Sequence, residues 1–211
     1  MNYTQLVGLK TIEGSIRNWV NNDTVPTIDI LKEAQDWIYE RLRVREMVVT
    51  ATGSMTISQD YVTEPTRFLA PIHFQIVGAY RGVLVEKTAA EVEAGFSYDG
   101  SGARVNNKPT MFHVAGARLQ FNHPADIAYS YRLVHYAQLT DLAVANETNF
   151  LTERYGRLLR CACLAFATEF MDHSEASDRW LAKAEQMIAM HKQTADMDRA
   201  GMQTDSYVEA E

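Results

Sequence analysis

The sequence predicts an α+β fold that is mainly helical, with an N-terminal helical hairpin, an antiparallel β-rich middle and a C-terminal helical hairpin with an extended tail. Apolar residues recur at threes and fours at both ends of the chain, whereas residues 47–138 alternate and are broken by Gly, Pro and Asn. The helical periodicity ends near residue 197. We therefore expect a single domain over residues 1–196, with its β-rich insertion at about 47–138, and a tail over 197–211.

Two helices are predicted at the N-terminal end, at about residues 4–20 and 27–45. The apolar stripe of the first consists of Leu6, Leu9, Ile12 (or Glu13), Ile16, Trp19 and Val20. Thr27 follows Pro26 and is assigned as the N-cap of the second helix. Because the loop between the helices is short, we expect them to pair as an antiparallel hairpin.

The middle of the chain has the alternation and turn signals of short strands. The predicted strands are residues 47–52, 55–57, 72–80, 83–86, 111–114, 118–121 and 127–138. Gly53 separates the first two. Pro65 and Pro71 frame residues 66–70, which we therefore expect to form a turn. Residues 89–94 are predicted as a short helix.

The last of these strands, residues 127–138, has the strongest alternation. One face holds Ile127, Tyr129, Tyr131, Leu133 and His135. Because buried tyrosine hydroxyls need hydrogen-bond partners, we expect a partly wet or interfacial face here.

Two further helices are predicted at about residues 150–171 and 175–195. Ser174 is assigned as the N-cap of the second, whose stripe consists of Trp180, Leu181, Ala184, Met187, Ile188 and His191. The three residues between them force another antiparallel pair.

The bulk properties of the chain exclude several classes of protein. No run approaches the roughly 18 uncharged apolar residues of a membrane span, and no signal peptide is visible, so no membrane partner is expected. Cys161 and Cys163 point in different directions on a predicted helix, which favours small buried side chains in a reducing compartment.

The negative charge of the chain is concentrated in its last third. The net charge is −7, and residues 139–211 carry 7 basic and 13 acidic side chains, whereas residues 51–138 carry 7 of each. A surface that grips nucleic acid needs clustered Lys and Arg, so this distribution argues against one.

No motif in the sequence predicts catalysis. Gly100-Ser101-Gly102 lacks the Gly-Lys-Ser/Thr that completes a phosphate loop, and no nucleophile elbow or His-Glu-x-x-His is present. His113, His123 and His135 lie in the strand region without carboxylates at a set spacing. We expect no enzyme activity, no catalytic residue, no metal and no cofactor.

Several segments follow one another in a recognisable order. In residues 26–44 a proline opens a helix with a Leu-x-x-Ala pattern and then an Ile-Tyr-x-x-hydrophobic-Arg run. Next come Thr52-Gly53-Ser54-Met55-Thr56, Phe68-Leu69-Ala70-Pro71, Pro124-Ala125-Asp126 before the Tyr-rich strand, Thr148-Asn149-Phe150-Leu151 and Trp180. In this order and spacing the chain resembles, over residues 4–195, the head-to-tail adaptor (connector) proteins of tailed bacteriophages. It departs at Cys161 and Cys163, where the family pattern has small or apolar residues.

The resemblance implies a structural protein of the virion, placed at the head–tail interface after synthesis in the host cytoplasm. Its partners would be further copies in a ring, usually of twelve, together with the portal protein and with tail or nozzle proteins. Genomic DNA would pass through the channel without specific binding, helped by an acidic lining. Rotational rings use head-to-tail contacts, so two different faces of each copy must be complementary.

The tail over residues 197–211 is a second candidate for a contact made during assembly. Met202, Tyr207 and Val208 are the sizeable apolar side chains of residues 200–211. A segment without its own core can order on a partner, so we expect these three residues to anchor the tail on the portal or on a neighbouring subunit.

Other functions remain open on sequence alone. A different phage connector or tail-completion protein would share the absence of catalytic motifs. A virion-associated cell-wall glycosidase needs two acidic residues about 5–10 Å apart, and the acidic residues here are spread over predicted helix faces. A nucleic-acid-binding regulator is disfavoured by the lack of a basic patch.

Overall fold

The structure is a computed structural model that describes the backbone of residues 1–205 and the side chains of residues 1–193. The chain divides into two compact units. The helical unit consists of Met1–Met47 and the residues from Leu139 onward, and the sheet unit consists of Val48–Gln138. The predicted single domain over residues 1–196 stays a prediction.

The predicted fold class is wrong. The described residues are 38% helical and 25% strand and contain a nearly closed, mixed seven-stranded sheet, so this is not a mainly helical α+β fold. The middle is also not purely antiparallel, because one pair of neighbouring strands is parallel. Gly53 and Pro71, which the sequence pattern marked as strand breaks, both lie inside strands.

The N-terminal end contains two short helices, α1 (Tyr3–Leu6) and α2 (Ile16–Val20), where periodicity predicts one helix over residues 4–20. Gly14 has a φ of +82°, which an L-residue in a helix cannot adopt. Ser15 then begins a new helix, because its Oγ accepts from Asn18 N–H as the N-cap. Leu6 and Ile16 are buried, but Leu9 is 62% exposed. The predicted N-terminal helical hairpin is therefore absent.

The third helix, α3 (Thr27–Arg41), matches its prediction closely at its start. Pro26, not Thr27, occupies the N-cap position. Thr27 is the first helical residue, and its hydroxyl donates to the Val7 carbonyl at 3.2 Å. The helix ends four residues before the predicted end at 45, since Leu42 is extended. Its buried stripe is Ile30, Leu31, Ala34 and Ile38.

The other helices of this unit are α5 (Phe150–Arg154), α6 (Gly156–Phe170) and α7 (Ser174–Asp205); α4 (Ala89–Ala94) belongs to the sheet unit. The predicted helix over 150–171 is interrupted at Tyr155. Helix α7 continues to Asp205, past the end near residue 195 that periodicity predicts. Helices α6 and α7 pack against each other. The short turn that connects them contains Asp172, which has a φ of 58°.

The seven strands of the sheet unit are β1 (Val48–Met55), β2 (Tyr61–Thr63), β3 (Phe68–Val77), β4 (Gly82–Glu86), β5 (Met111–Ala115), β6 (Arg118–Phe121) and β7 (Tyr129–Ala137). Their order is β1-β7-β3-β4-β5-β6-β2, so β1 and β2 are the two edges. Only β4 and β5 pair in parallel among the described strands. The crossover between them contains α4.

Most strand predictions are confirmed. The β3–β4 pair, the β5–β6 hairpin, the short helix α4 and the Tyr-rich strand β7 lie where the pattern predicts them. The turn predicted at residues 66–70 is confirmed only for Thr66 and Arg67, because β3 begins at Phe68. Pro71 is tolerated there since register shifts interrupt the β3–β7 ladder on both sides of it.

The core of the sheet unit is built around Phe74 on β3. Its ring lies 5.2 Å from Phe112, 5.8 Å from Phe121 and 5.3 Å from Tyr131, measured between centroids. Other buried side chains belong to the same core: Ile76 on β3 itself, and Met55, Val62, Leu84, Leu119 and Leu133 on other strands. The nearly closed sheet therefore surrounds an apolar interior to which each of the seven strands contributes.

Candidate functional site

Helices α2, α6 and α7 of the helical unit border an open groove of about 320 Å³. We call it the two-tryptophan groove. It is lined by Trp19, Val20, Arg160, Leu164, Thr168, Met171, His173 and Trp180. Both tryptophans are only partly buried, and Arg160 and His173 are exposed.

Local structure positions each wall of this groove. Trp19 lies on α2, which begins at the Ser15 cap and ends at Asn21 in the left-handed region. Arg160, Leu164 and Thr168 are spaced four apart on α6, so they share one face of that helix. The α6–α7 turn adds Met171 and His173, and the second turn of α7 adds Trp180.

A cation lies over each tryptophan ring. The Arg160 guanidinium carbon is 4.9 Å from the Trp19 ring centroid, and Lys183 Nζ is 4.3 Å from the Trp180 ring centroid. Each such contact contributes about 0.5–1 kcal/mol at an exposed site. Neither cation forms a salt bridge with another described side chain, and no lining residue is acidic.

This combination suits a particular kind of ligand. Tryptophan and arginine are the side chains most enriched at the energetic centres of protein interfaces. The indole rings can hold an apolar or aromatic side chain, while the two cations can hold carboxylates beside it. The groove can therefore bind an acidic chain segment with an apolar or aromatic anchor.

A second exposed surface is the outer edge of β1 in the sheet unit. Among the described strands β1 pairs with β7 alone, so one row of its backbone N–H and C=O groups faces away from the sheet. The strand Val48–Met55 contains no charged residue and no proline, and Val48 and Val49 are 36% and 43% exposed. Long uncharged edges of this kind accept a strand from another chain.

The tail residues predicted to bind partners fall largely outside the described part of the chain. Met202 lies within the range of α7, but its side chain is outside the described residues. Tyr207 and Val208 lie outside the described residues altogether. Their role as anchors stays a prediction.

His113, His123 and His135 of the sheet unit are not grouped as metal ligands in the described part of the chain. Among the described side chains, no group of three or more His, Cys, Asp or Glu is placed to hold an ion. His135 on β7 is buried and stacks on Phe68, with ring centroids 5.4 Å apart. Burial lowers the pKa of His135, against the smaller opposing effect of a backbone hydrogen bond at Leu133, and burial also lowers the pKa of His123.

The partly wet or interfacial face expected on β7 is wrong, because Tyr129 and Leu133 lie in the core of the sheet unit. The Tyr129 hydroxyl is satisfied locally instead. Its Oη donates to Asp126 Oδ1 at 2.7 Å. Burial, followed by this hydrogen bond and the nearby carboxylate charge, raises the pKa of Tyr129 to about 12. The phenol is therefore held neutral and serves to fix the turn before β7.

Cys161 and Cys163 on α6 are free and buried. Burial raises the pKa of both thiols, which disfavours the reactive thiolate form. In the part of the chain that the structure describes, no helix has both the length and the apolar character of a bilayer span.

Sequence reasoning missed the two-tryptophan groove. It assigned Trp19 and Trp180 to the buried stripes of two helices, since periodicity shows which residues share a face but not what covers it. One signal could have pointed to it: Lys183 follows Trp180 by three residues on the same helix, the spacing of a cation placed over a ring.

A groove of aromatic and cationic side chains and an open sheet edge are features of a protein that assembles with other chains. Comparison with protein-family models places residues 1–205 in one family, and the chain belongs to it: the SU10 adaptor protein family. A search of curated proteins finds no match. The resemblance to phage adaptors is thereby confirmed, and the chain is a phage adaptor protein of the virion.

Proposed function

We propose that this adaptor forms a ring, of twelve copies, between the portal and the tail of a tailed phage. The ring extends the DNA channel and docks tail or nozzle proteins. The observation that carries this proposal is the family match over residues 1–205, which spans both compact units. The role is structural, without catalysis and without a cofactor.

Two separate surfaces support head-to-tail assembly. A rotational ring needs two different complementary faces on each copy. The two-tryptophan groove and the β1 edge are chemically different contact surfaces, so each requires its own complement on a neighbouring chain. One recognises an acidic segment with an apolar anchor, and the other recognises an extended backbone.

The charge of the chain supports passage of DNA without specific binding. Each copy carries a net charge of −7, so a ring of copies is strongly negative overall. A negative lining repels the phosphates and prevents the counterion release through which proteins grip DNA. A basic channel in an assembled ring would contradict this part of the proposal.

The tail supplies a further contact. Met202, Tyr207 and Val208 anchor residues 200–211 on a partner during assembly, and the five acidic side chains of residues 194–211 flank these anchors. Deletion of residues 200–211 should abolish assembly under the portal. The far-UV circular dichroism spectrum of the truncated subunit should still show its helices. Normal assembly after the deletion would reject this role.

Electron microscopy of the purified chain mixed with purified portal tests the central proposal. We expect a collar of twelve copies beneath the portal. A collar that forms on tail proteins but not on the portal would favour a different connector or tail-completion protein. A chain that stays monomeric with both would reject the proposal, and release of peptidoglycan fragments by the chain would reject the absence of catalysis.

A further inference from the structure

The two-tryptophan groove has the properties of an interface but has no occupant among the described residues. Its walls are two partly exposed indole rings, and its charged lining is cationic. Arg160 and Lys183 each lie over a ring without a carboxylate partner among the described side chains. An occupant must therefore bring an apolar anchor and negative charge.

Residues 206–211 of this same chain have that chemistry. The segment reads Ser-Tyr-Val-Glu-Ala-Glu, with Tyr207 and Val208 as adjacent apolar side chains and Glu209 and Glu211 just beyond them. It has no basic residue. A tyrosine ring between two indoles, with carboxylates against Arg160 and Lys183, would satisfy every wall of the groove.

The segment cannot reach the groove of its own chain. Helix α7 carries Trp180 near its start and continues to Asp205, a helical run of about 38 Å. Val208 lies within about 11 Å of Asp205 even when the backbone is fully extended. The anchors thus stay more than about 15 Å from their own groove, because Met171 and His173 lie still further back, before α7 begins.

We propose that residues 206–211 of one copy bind in the two-tryptophan groove of a second copy. Tyr207 and Val208 enter between Trp19 and Trp180, and Glu209 and Glu211 pair with Arg160 and Lys183. The contact is heterologous, since a tail on one copy meets a groove on the next, and such contacts close into a ring when the rotation between copies permits it. The inference rests on the proposed function, and it assigns the tail to the neighbouring subunit.

Photo-cross-linking of the full-length chain tests the contact directly. A benzophenone amino acid replaces Tyr207, and unlabelled and ¹⁵N-labelled copies are mixed, so that mass spectrometry separates cross-links between copies from those within one copy. The mixture is irradiated both free in solution and bound to the portal. We expect cross-links between copies that map to Trp19, Met171 or Trp180.

Exchange of the charges across the proposed contact is the second part of the experiment. Arg160→Glu should lower the yield of these cross-links about tenfold, because it brings like charges together at the contact. Glu209→Arg with Glu211→Arg should restore the yield in that background. Lys192→Glu, an exposed charge reversal on α7 outside the groove, is the matched control and should leave the yield unchanged.

The outcomes separate this inference from the proposed ring. Cross-links that map elsewhere, that occur only within a copy, or that are absent from both samples overturn the groove contact, even if a collar forms under the portal. Cross-links at the groove without any collar support the contact and count against the ring. An equal loss of cross-link yield with Arg160→Glu and with Lys192→Glu would also overturn the assignment of the tail to this groove.

Discussion

Gly53 lies directly opposite Tyr131 in the β1–β7 ladder, and a Cβ built on Gly53 would lie 2.5 Å from Tyr131 Oη and 2.6 Å from its Cζ. The absent side chain makes room for the tyrosine ring, which also contacts Phe74 edge-on at 5.3 Å between centroids. The glycine that looked like a strand break in the sequence is thus a packing site within β1.

The first prediction concerns this contact. Gly53→Ala should lower the free energy of unfolding by about 1–3 kcal/mol, because the Tyr131 ring must turn away from Phe74. Urea denaturation followed by tyrosine and tryptophan fluorescence measures the change. Gly100→Ala is the control: an added Cβ there meets no atom within 4 Å, so we expect a change within about 0.5 kcal/mol. Equal midpoints for the two variants would show that the close approach has no cost.

Asn149 gives the second prediction. Its Oδ1 caps α5 by accepting from Leu151 and Thr152 N–H, while its Nδ2 lies 3.3 Å from Gln35 Oε1 and 3.2 Å from Tyr39 Oη on α3. Asn149→Ala should therefore destabilise the protein by about 2–3 kcal/mol, more than the loss of a cap alone.

Asn2→Ala is the matched control for this prediction, since Asn2 caps α1 at an exposed position by accepting from Gln5 N–H at 2.8 Å. We expect it to cost about 1 kcal/mol or less. Thermal unfolding at one protein concentration compares the two. If Asn2→Ala cost as much as Asn149→Ala, the contacts of Asn149 with α3 would have no measurable value.

The third prediction concerns pH. Burial lowers the pKa of His135 and His123 below the ordinary value of 6.5, so the unfolded chain binds protons at a pH where the folded chain does not. The free energy of unfolding should be constant above about pH 7 and should fall as the pH is lowered through about 6.5. Below the pKa values of the folded state, these two histidines should cause no further fall.

Urea denaturation at a series of pH values measures this slope. His135→Gln removes one of the two groups and should make the slope shallower, even if it lowers stability at pH 7. His73→Gln changes an exposed histidine and is the matched control; an equal change of slope in both variants would count against a specific contribution of His135. A slope that stays the same after His135→Gln would show that His135 is not protonated on unfolding.

The fourth prediction tests the break between α1 and α2. A continuous helix over residues 4–20 would bury Leu6 and Leu9 on the same stripe, whereas the structure buries Leu6 and exposes 62% of Leu9. Leu6→Ala should cost about 2–5 kcal/mol and Leu9→Ala less than about 0.5 kcal/mol, as measured by thermal unfolding. Similar losses for the same substitution at both positions would favour the continuous helix.

Local pattern predicts the elements whose ends carry turn or capping signals. The hairpin around Ala115-Gly116-Ala117, helix α4 with its Thr88–Glu91 capping box and strand β7 all lie where the sequence places them. In each, the residues that start and stop the element are close in sequence to the apolar pattern itself.

The failures arise where distant residues decide the outcome. Pro71 lies inside β3, where register shifts on both sides of it interrupt the pairing with β7. Gly14 lies in the non-helical segment between α1 and α2, with a positive φ that glycine permits but does not require. The exposure of Trp19 and Trp180 depends on how α2, α6 and α7 pack, so the groove could not be read from periodicity.

The position of β7 between β1 and β3 has a consequence for synthesis on the ribosome. Strand β7 is the last of the seven to be synthesised. Until it emerges, the edges of β1 and β3 that pair with β7 stay unpaired. Folding of the helical unit is delayed as well, because Met1–Met47 packs with residues from Leu139 onward. A nascent chain that stops before Tyr129 can complete neither unit, so chaperone binding and aggregation should both peak in chains of that length.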